Sequence, residues 1–188
     1  MKISLLSFFV LLFATAVLTS CEKCGEISVT KPTPEDAAWL VYKREDSIRF
    51  VSTEGNNVVY ARSGIFANEF AGEGYTATDE CIEKVNIEIR TVIEDVKDIQ
   101  PSLSTRIFTK PGDLLVEIGV AEQGVWELDE QQPTYATYEV NGKVYNDVYE
   151  VVTNSTKAGD VNRILFNKAF GFLRLEFNGG KVLQLKNT

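Results

Sequence analysis

Two hydrophobic patterns divide the chain. Residues 3–18 form an apolar run, and from residue 47 onward apolar and polar side chains alternate in short bursts separated by turn residues. Alternation at period two marks strands with one face covered and the other wet. Strand-like segments fall at 47–53, 57–62, 85–93, 105–110, 114–120 and 125–128. The cleanest is Val85-Asn86-Ile87-Glu88-Ile89-Arg90, with Val, Ile and Ile on one face and Asn, Glu and Arg on the other. In the second half, 138–140 and 143–145 flank Asn141-Gly142, a pair preferred in a two-residue type I′ hairpin turn. Further strands are predicted at 164–166 and 172–177, around Gly171, and Asn178-Gly179-Gly180 turns the chain into a last one at 182–185. Helix is confined to one turn, where Thr33 can cap, Pro34 takes the first helical position and Glu35 and Asp36 fill the first turn. Consecutive strands joined by short turns predict a mainly β, single antiparallel meander-type domain with little helix, built as a curved sheet, a barrel or a sandwich.

The opening run is short of the roughly 20 apolar residues that a bilayer core requires. It follows Met1-Lys2 and ends in Leu18-Thr19-Ser20-Cys21, which resembles the lipobox of bacterial lipoproteins. That resemblance implies a signal peptide at 1–20, lipidation of Cys21 by diacylglycerol and an amide-linked chain such as palmitate, and outer-membrane anchorage on either face. Two chains suffice for stable anchoring, because each buried methylene contributes about 0.8 kcal/mol. Ala14-Thr15-Ala16 offers an ordinary secretory cleavage site instead, but leaves Cys21 unexplained. The division expected is a signal peptide at 1–20, a lipidated tether at 21–32 and one β-rich domain at 33–188.

With Cys21 lipidated, Cys24 and Cys81 remain as a candidate disulfide in an oxidising envelope. It would close a loop for which chain-entropy arguments assign about 4 kcal/mol. The alternative is a linker thiol and a small buried hydrophobe. Charge narrows the partners. The 19 basic residues less Lys2 stand against 27 acidic ones, a net of −9 for the mature chain. Basic residues scattered singly among carboxylates disfavour nucleic acid. They also leave membrane contact to the acyl chains on Cys21.

Glu35, Trp39-Leu40-Val41-Tyr42, Asp46-Ser47-Ile48-Arg49-Phe50 and Thr53-Glu54-Gly55 resemble the opening of small uncharacterised lipoproteins of Bacteroidota. Those often read W-L-P-Y, then G-D, then an apolar strand. Residues 146–151 and Phe166-Asn167-Lys168-Ala169-Phe170-Gly171-Phe172-Leu173 are similar to their late hairpin, where an aromatic strand meets a glycine. The chain departs from that pattern at Val41, where proline is expected, and at Glu45, where glycine is expected. The resemblance implies origin and envelope location and carries no activity with it.

The chain has no histidine, which removes Ser-His-Asp and Cys-His catalysis and histidine-based metal sites, so neither cofactor nor metal is expected. Acids are plentiful, and Asp129-Glu130 near Trp126 is the group most suggestive of a carboxylate-dependent carbohydrate hydrolase. Adjacent strand residues point to opposite faces, which argues for a solvated turn instead. Gly72-Glu73-Gly74-Tyr75-Thr76-Ala77 has dinucleotide-loop spacing without the strand before it or the helix after it. Residues 67–80 are therefore expected to be a polar loop and a candidate contact surface. Among 11 Phe, 7 Tyr and 2 Trp, the residues Trp126, Tyr145 and Tyr149 are candidates for a glycan-stacking platform, with Tyr138 and Tyr135 near it. Core packing explains the same aromatics. Ser47 in Asp46-Ser47-Ile48 is a candidate O-glycosylation site. The expectation is a non-enzymatic, lipid-anchored module that binds an envelope protein or a glycan. The alternatives are a lipocalin-like or LolA-like carrier of an apolar ligand and a carbohydrate hydrolase.

Overall fold

A computed structural model describes residues 24–187, so residues 1–23, with the apolar run and Cys21, lie outside the described residues. The chain runs β1 (Ser28–Thr30), α1 (Pro34–Ala37), β2 (Ser47–Ser52), β3 (Asn57–Ala71), β4 (Lys84–Asp95), β5 (Leu103–Lys110), β6 (Asp113–Val120), β7 (Gly124–Leu128), β8 (Tyr135–Val140), β9 (Lys143–Val152), β10 (Val161–Asn167), β11 (Gly171–Phe177) and β12 (Val182–Leu185). It is nearly all antiparallel β, as the alternation predicts. Helix is limited to α1, where the Thr33 hydroxyl accepts the Asp36 N–H at 3.1 Å and the Asp36 carboxylate accepts the Thr33 N–H at 2.8 Å.

The strands form one sheet in the order β7-β6-β5-β4-β3-β2-β12-β11-β10-β9-β8, with β1 parallel to the end of β4. Two meanders, β2–β7 and β8–β12, therefore meet where β2 pairs with β12. The sheet curls into a half-barrel, which decides among the curved sheet, barrel and sandwich. Its β7 end is stitched to β10 and β9 of the other meander: the Val161 N–H donates to the Gln123 side chain at 2.6 Å, and the Tyr149 hydroxyl donates to the Glu130 carbonyl at 3.1 Å.

Alternation places one row of each strand inside the curl. Phe50, Tyr60, Ile93, Leu103, Ile107, Ile118, Ile164, Phe166 and Phe172 have no exposed surface. Burying one such side chain contributes roughly 1.5–3 kcal/mol. The segment between α1 and β2 plugs this interior. Trp39 meets Tyr149 edge-on at 5.1 Å between ring centres and stacks on Phe166 at 6.3 Å. The Tyr42 hydroxyl accepts the Phe172 N–H at 2.7 Å. Gly171 lies beneath it with φ of 75°, and a Cβ there would come within 2.1 Å of that hydroxyl, so this turn requires glycine. The early Trp-Leu-Val-Tyr motif and the late aromatic-glycine motif are thus two halves of one contact. Glu45, where a glycine was expected, adopts φ of 74°, the left-handed conformation that glycine favours.

Three stretches differ from the sequence reading. The tether assigned to 21–32 contains β1, a strand too short to announce itself by pattern. The loop assigned to 67–80 begins later, because β3 continues to Ala71. Ser63 forms a bulge in β3, between the Arg62 and Gly64 pairings to β4. Finally, Asp147 has φ of 52° and kinks β9. The Asn167 side-chain amide holds the kink by donating to the carbonyls of Asn146 at 2.6 Å and Asp147 at 3.2 Å. The β8–β9 hairpin then folds over the convex face, where Val140, Tyr145 and Val148 pack on Leu165 and Leu173.

Candidate functional site

The described residues begin at the tip of an extension of the sheet. β3 runs past Ala61, its last pairing with β2, and β4 runs past Glu88, its last pairing with β5. Beside this outer part of β4 lies β1, with Ser28 opposite Lys84 and Thr30 opposite Asn86. At the tip Cys24 and Cys81 are joined by a disulfide, with Cα atoms 5.3 Å apart. The Glu83 carboxylate reinforces it, accepting the Gly25 N–H and the Tyr75 hydroxyl, each at 3.0 Å. That hydrogen bond raises the Tyr75 phenol above its ordinary pKa. The Thr109 hydroxyl donates to the carbonyls of Thr30 at 3.1 Å and Ile87 at 3.0 Å, tying β1 to β4 and β5. Cys21 precedes Cys24 by three residues, so whatever course the chain takes their Cα atoms are at most about 11 Å apart. The Gly72–Ala77 spacing falls in the loop at this tip, and no helix follows it.

The three platform residues are not brought together. Tyr149 is 6% exposed and belongs to the interior against Trp39, whereas Tyr145 is 2% exposed and packs on the convex face. Their shared strand parity is broken by the kink at Asp147, which offsets the two halves of β9. Tyr145 donates to Asn187 at 3.3 Å and meets Phe170 edge-on at 5.1 Å. Trp126 is half-buried on β7 opposite Ile118, packed against the core. Burial raises the phenols of Tyr145 and Tyr149 above their ordinary pKa.

Two concave regions adjoin the plug. One, of about 550 Å³, is lined by Glu35, Asp36, Asp113, Glu130, Lys110 and Lys168, with Trp39 at its floor. Two of its four carboxylates have structural engagements: Asp36 caps α1, and Glu35 lies 3.9 Å from Lys168. Asp129 caps the Gln131 N–H at 3.2 Å, as a solvated turn does. The other, of about 260 Å³, has Phe170, Tyr145 and Lys143 on one side and Asp46, Ser47 and Arg49 on the other. Lys143 covers the Phe170 ring at 4.4 Å. Ser47 is exposed at its rim, open to modification. Among the described residues no group of three from His, Cys, Asp and Glu is arranged to hold a metal ion.

Sequence reading missed a charged network on the convex face. Arg163 bonds Glu150, reaches Glu176 at 3.1 Å and donates to the hydroxyls of Tyr135 and Tyr138 at 3.4 Å each. These residues are far apart in the chain, and only the pairing of β8, β9, β10 and β11 aligns them. A second such network joins Arg106 to Glu88 and Glu117. Compared with known proteins, the chain matches no family model, no curated protein and no solved structure.

Proposed function

We propose that this is a lipid-anchored cell-envelope protein of the outer membrane that acts by binding an envelope protein or a glycan and performs no catalysis. The observation that carries this reading is the disulfide at the tip of the extension. It attaches the chain three residues after Cys21 directly to the folded sheet, as suits a module held at a membrane by its first residue. The acyl chains on Cys21 supply the membrane affinity, since the body is acidic. Resemblance of residues 18–21 to a lipobox, and of both ends of the domain to Bacteroidota lipoproteins, supports the same reading.

Among the described residues the carrier alternative finds no calyx, because those that would line one, such as Phe50, Ile107 and Phe166, are fully buried against other side chains. Of the two carboxylates on which the hydrolase alternative rests, Asp129 is engaged in capping its own turn, accepting the Gln131 N–H at 3.2 Å. The recess beside Phe170 and Lys143 is the more suitable glycan contact, because it joins a 43% exposed ring to polar groups of β2.

Labelling with a palmitate analogue in an envelope-bearing host tests the anchor. Label is expected on the full chain and lost in Cys21→Ala, with the variant leaving the membrane fraction. Membrane retention without Cys21 would refute anchorage. A glycan array probed with the purified chain, beside affinity capture from envelope fractions, tests binding. Any glycan signal should fall about fivefold or more in Phe170→Ala, if a sugar stacks on the ring as strongly as a nucleic-acid base stacks on an aromatic side chain, roughly 1–3 kcal/mol.

A further inference from the structure

The recess beside Phe170 differs in charge from the larger concave regions of the molecule. The one over Trp39 sets three basic side chains against four carboxylates, and those beside Asp95 and Val92 hold equal numbers of each. Here Arg49, Lys143 and Lys186 face a single carboxylate, Asp46. On a chain of net charge −8, that excess is local. The fold does not neutralise it. Arg106 and Arg163, also on the convex face, each bond two glutamates, whereas Arg49, Lys143 and Lys186 make no ion pair among the described residues. Lys143 is held instead over the rings of Phe170 at 4.4 Å and Tyr145 at 5.1 Å, and Lys186 donates to the Asn57 side chain at 3.0 Å. A ring face steadies an ammonium without cancelling its charge, so an incoming anion has no carboxylate to displace. Asp46 is engaged with its own turn, accepting the Lys43 N–H at 2.6 Å.

The two walls are also fixed relative to each other. The Lys186 N–H donates to the Arg49 carbonyl at 2.8 Å, which ties the end of the chain's last strand to β2. The Asn141 side chain donates to the Leu185 carbonyl at 3.4 Å, and the Asn187 side chain donates to the Asn141 carbonyl at 2.5 Å, which ties the β8–β9 turn to the same segment. Arg49 and Lys143 are thus set on opposite sides of the recess before any ligand arrives, which lowers the cost of binding.

We propose that this recess takes an acidic sugar, one whose ring carries a carboxylate or a sulfate, and that Arg49 and Lys143 hold its charge. The inference rests on the glycan reading of the same recess and narrows it. A guanidinium offers paired donors that match a carboxylate or sulfate, and an ammonium adds a compact charge. The open part of the Phe170 ring backs the apolar face of the sugar, while Asp46 and Ser47, on the wall with Arg49, suit its hydroxyls. At about 260 Å³ the recess is smaller than the ~300–1,000 Å³ of a drug-sized site, so it suits one ring with its acid group.

Binding of the purified chain to an array of oligosaccharides in matched neutral, uronate-bearing and sulfated forms tests this. Acidic members are expected to bind at least tenfold more tightly than their neutral counterparts, and methyl esterification of the uronates should remove their advantage. Arg49→Gln and Lys143→Gln should each weaken acid binding about tenfold with native circular dichroism, and Lys143→Arg should retain it. Lys97→Gln removes a cation elsewhere on the surface and should change nothing. Neutral members bound as tightly as acidic ones, with loss in Phe170→Ala, would overturn the acidic ligand and leave the glycan reading standing. An array silent throughout would overturn both. Acid binding that falls equally in Lys97→Gln would be general charge attraction and would overturn the site.

Discussion

The body of the half-barrel and its outer extension are made from the same kind of strand and held by different means. In β5, Leu103, Thr105, Ile107 and Thr109 point inward and are all buried, because the curl brings the opposite wall against them. In the extension, Ile65, Phe66 and Phe70 remain exposed on β3, with β4 as its one neighbour among the described residues. What replaces a core there is local: the Cys24–Cys81 disulfide, the three-residue strand β1 and the Glu83 hydrogen bonds. Alternation thus encodes strand, whereas burial depends on what the rest of the chain lays over it. The extension is β by pairing, and the body is β by packing.

Phe166→Ala strikes the body where the plug, β10 and β11 meet, and is expected to cost about 3–5 kcal/mol, read from the urea midpoint. A cost near that of a surface change would mean that the plug is not part of the core. Cys24→Ser strikes the extension. Hydrogen exchange at 28–30 and 84–86 should accelerate at least tenfold while the amides of β5 and β10 keep their protection. A fall in global stability by the full ~4 kcal/mol of the chain-entropy estimate would instead make body and extension one cooperative unit. The smallest effect is a gain. The hydroxyls of Thr91 and Thr105, directly opposed on the inner face, are buried without a hydrogen-bond partner among the described residues. Thr105→Val should therefore add about 1 kcal/mol of stability, read as a higher urea midpoint, and a loss would mean that a buried water satisfies the hydroxyl.

Most of the body was legible because its strands alternate and its turns carry their own chemistry. Asn141 and Gly142 adopt φ of 50° and 78°, as the type I′ turn requires. The extension was not legible for a reason in the comparison itself. Residues 63–71 are under no demand to bury one face, so their apolar side chains fall on both. Strand β1 is fixed by a parallel pairing across more than fifty residues, which no local pattern records. The Asp147 kink defeated the aromatic platform, since parity arguments assume an unbroken strand. Of the candidate site, Cys24 and Cys81 could be named as a pair but not placed, and their position at a sheet tip comes from the register of β4.

The pairing of β2 with β12, and of Tyr42 with Phe172 across 130 residues, bears on how the molecule is made. A chain that emerges from its N-terminus first holds the Trp39–Tyr42 segment without its partners until β9 to β11 have arrived, and one side of β2 until β12 has. Contacts so distant in sequence make for slow folding. They also set the order of assembly, with the β2–β7 meander able to form early and closure left to the end. Truncation just before Val182 would thus unseat β2 more than a hundred residues upstream, and the earliest folded part of the protein would depend on a strand made long after it.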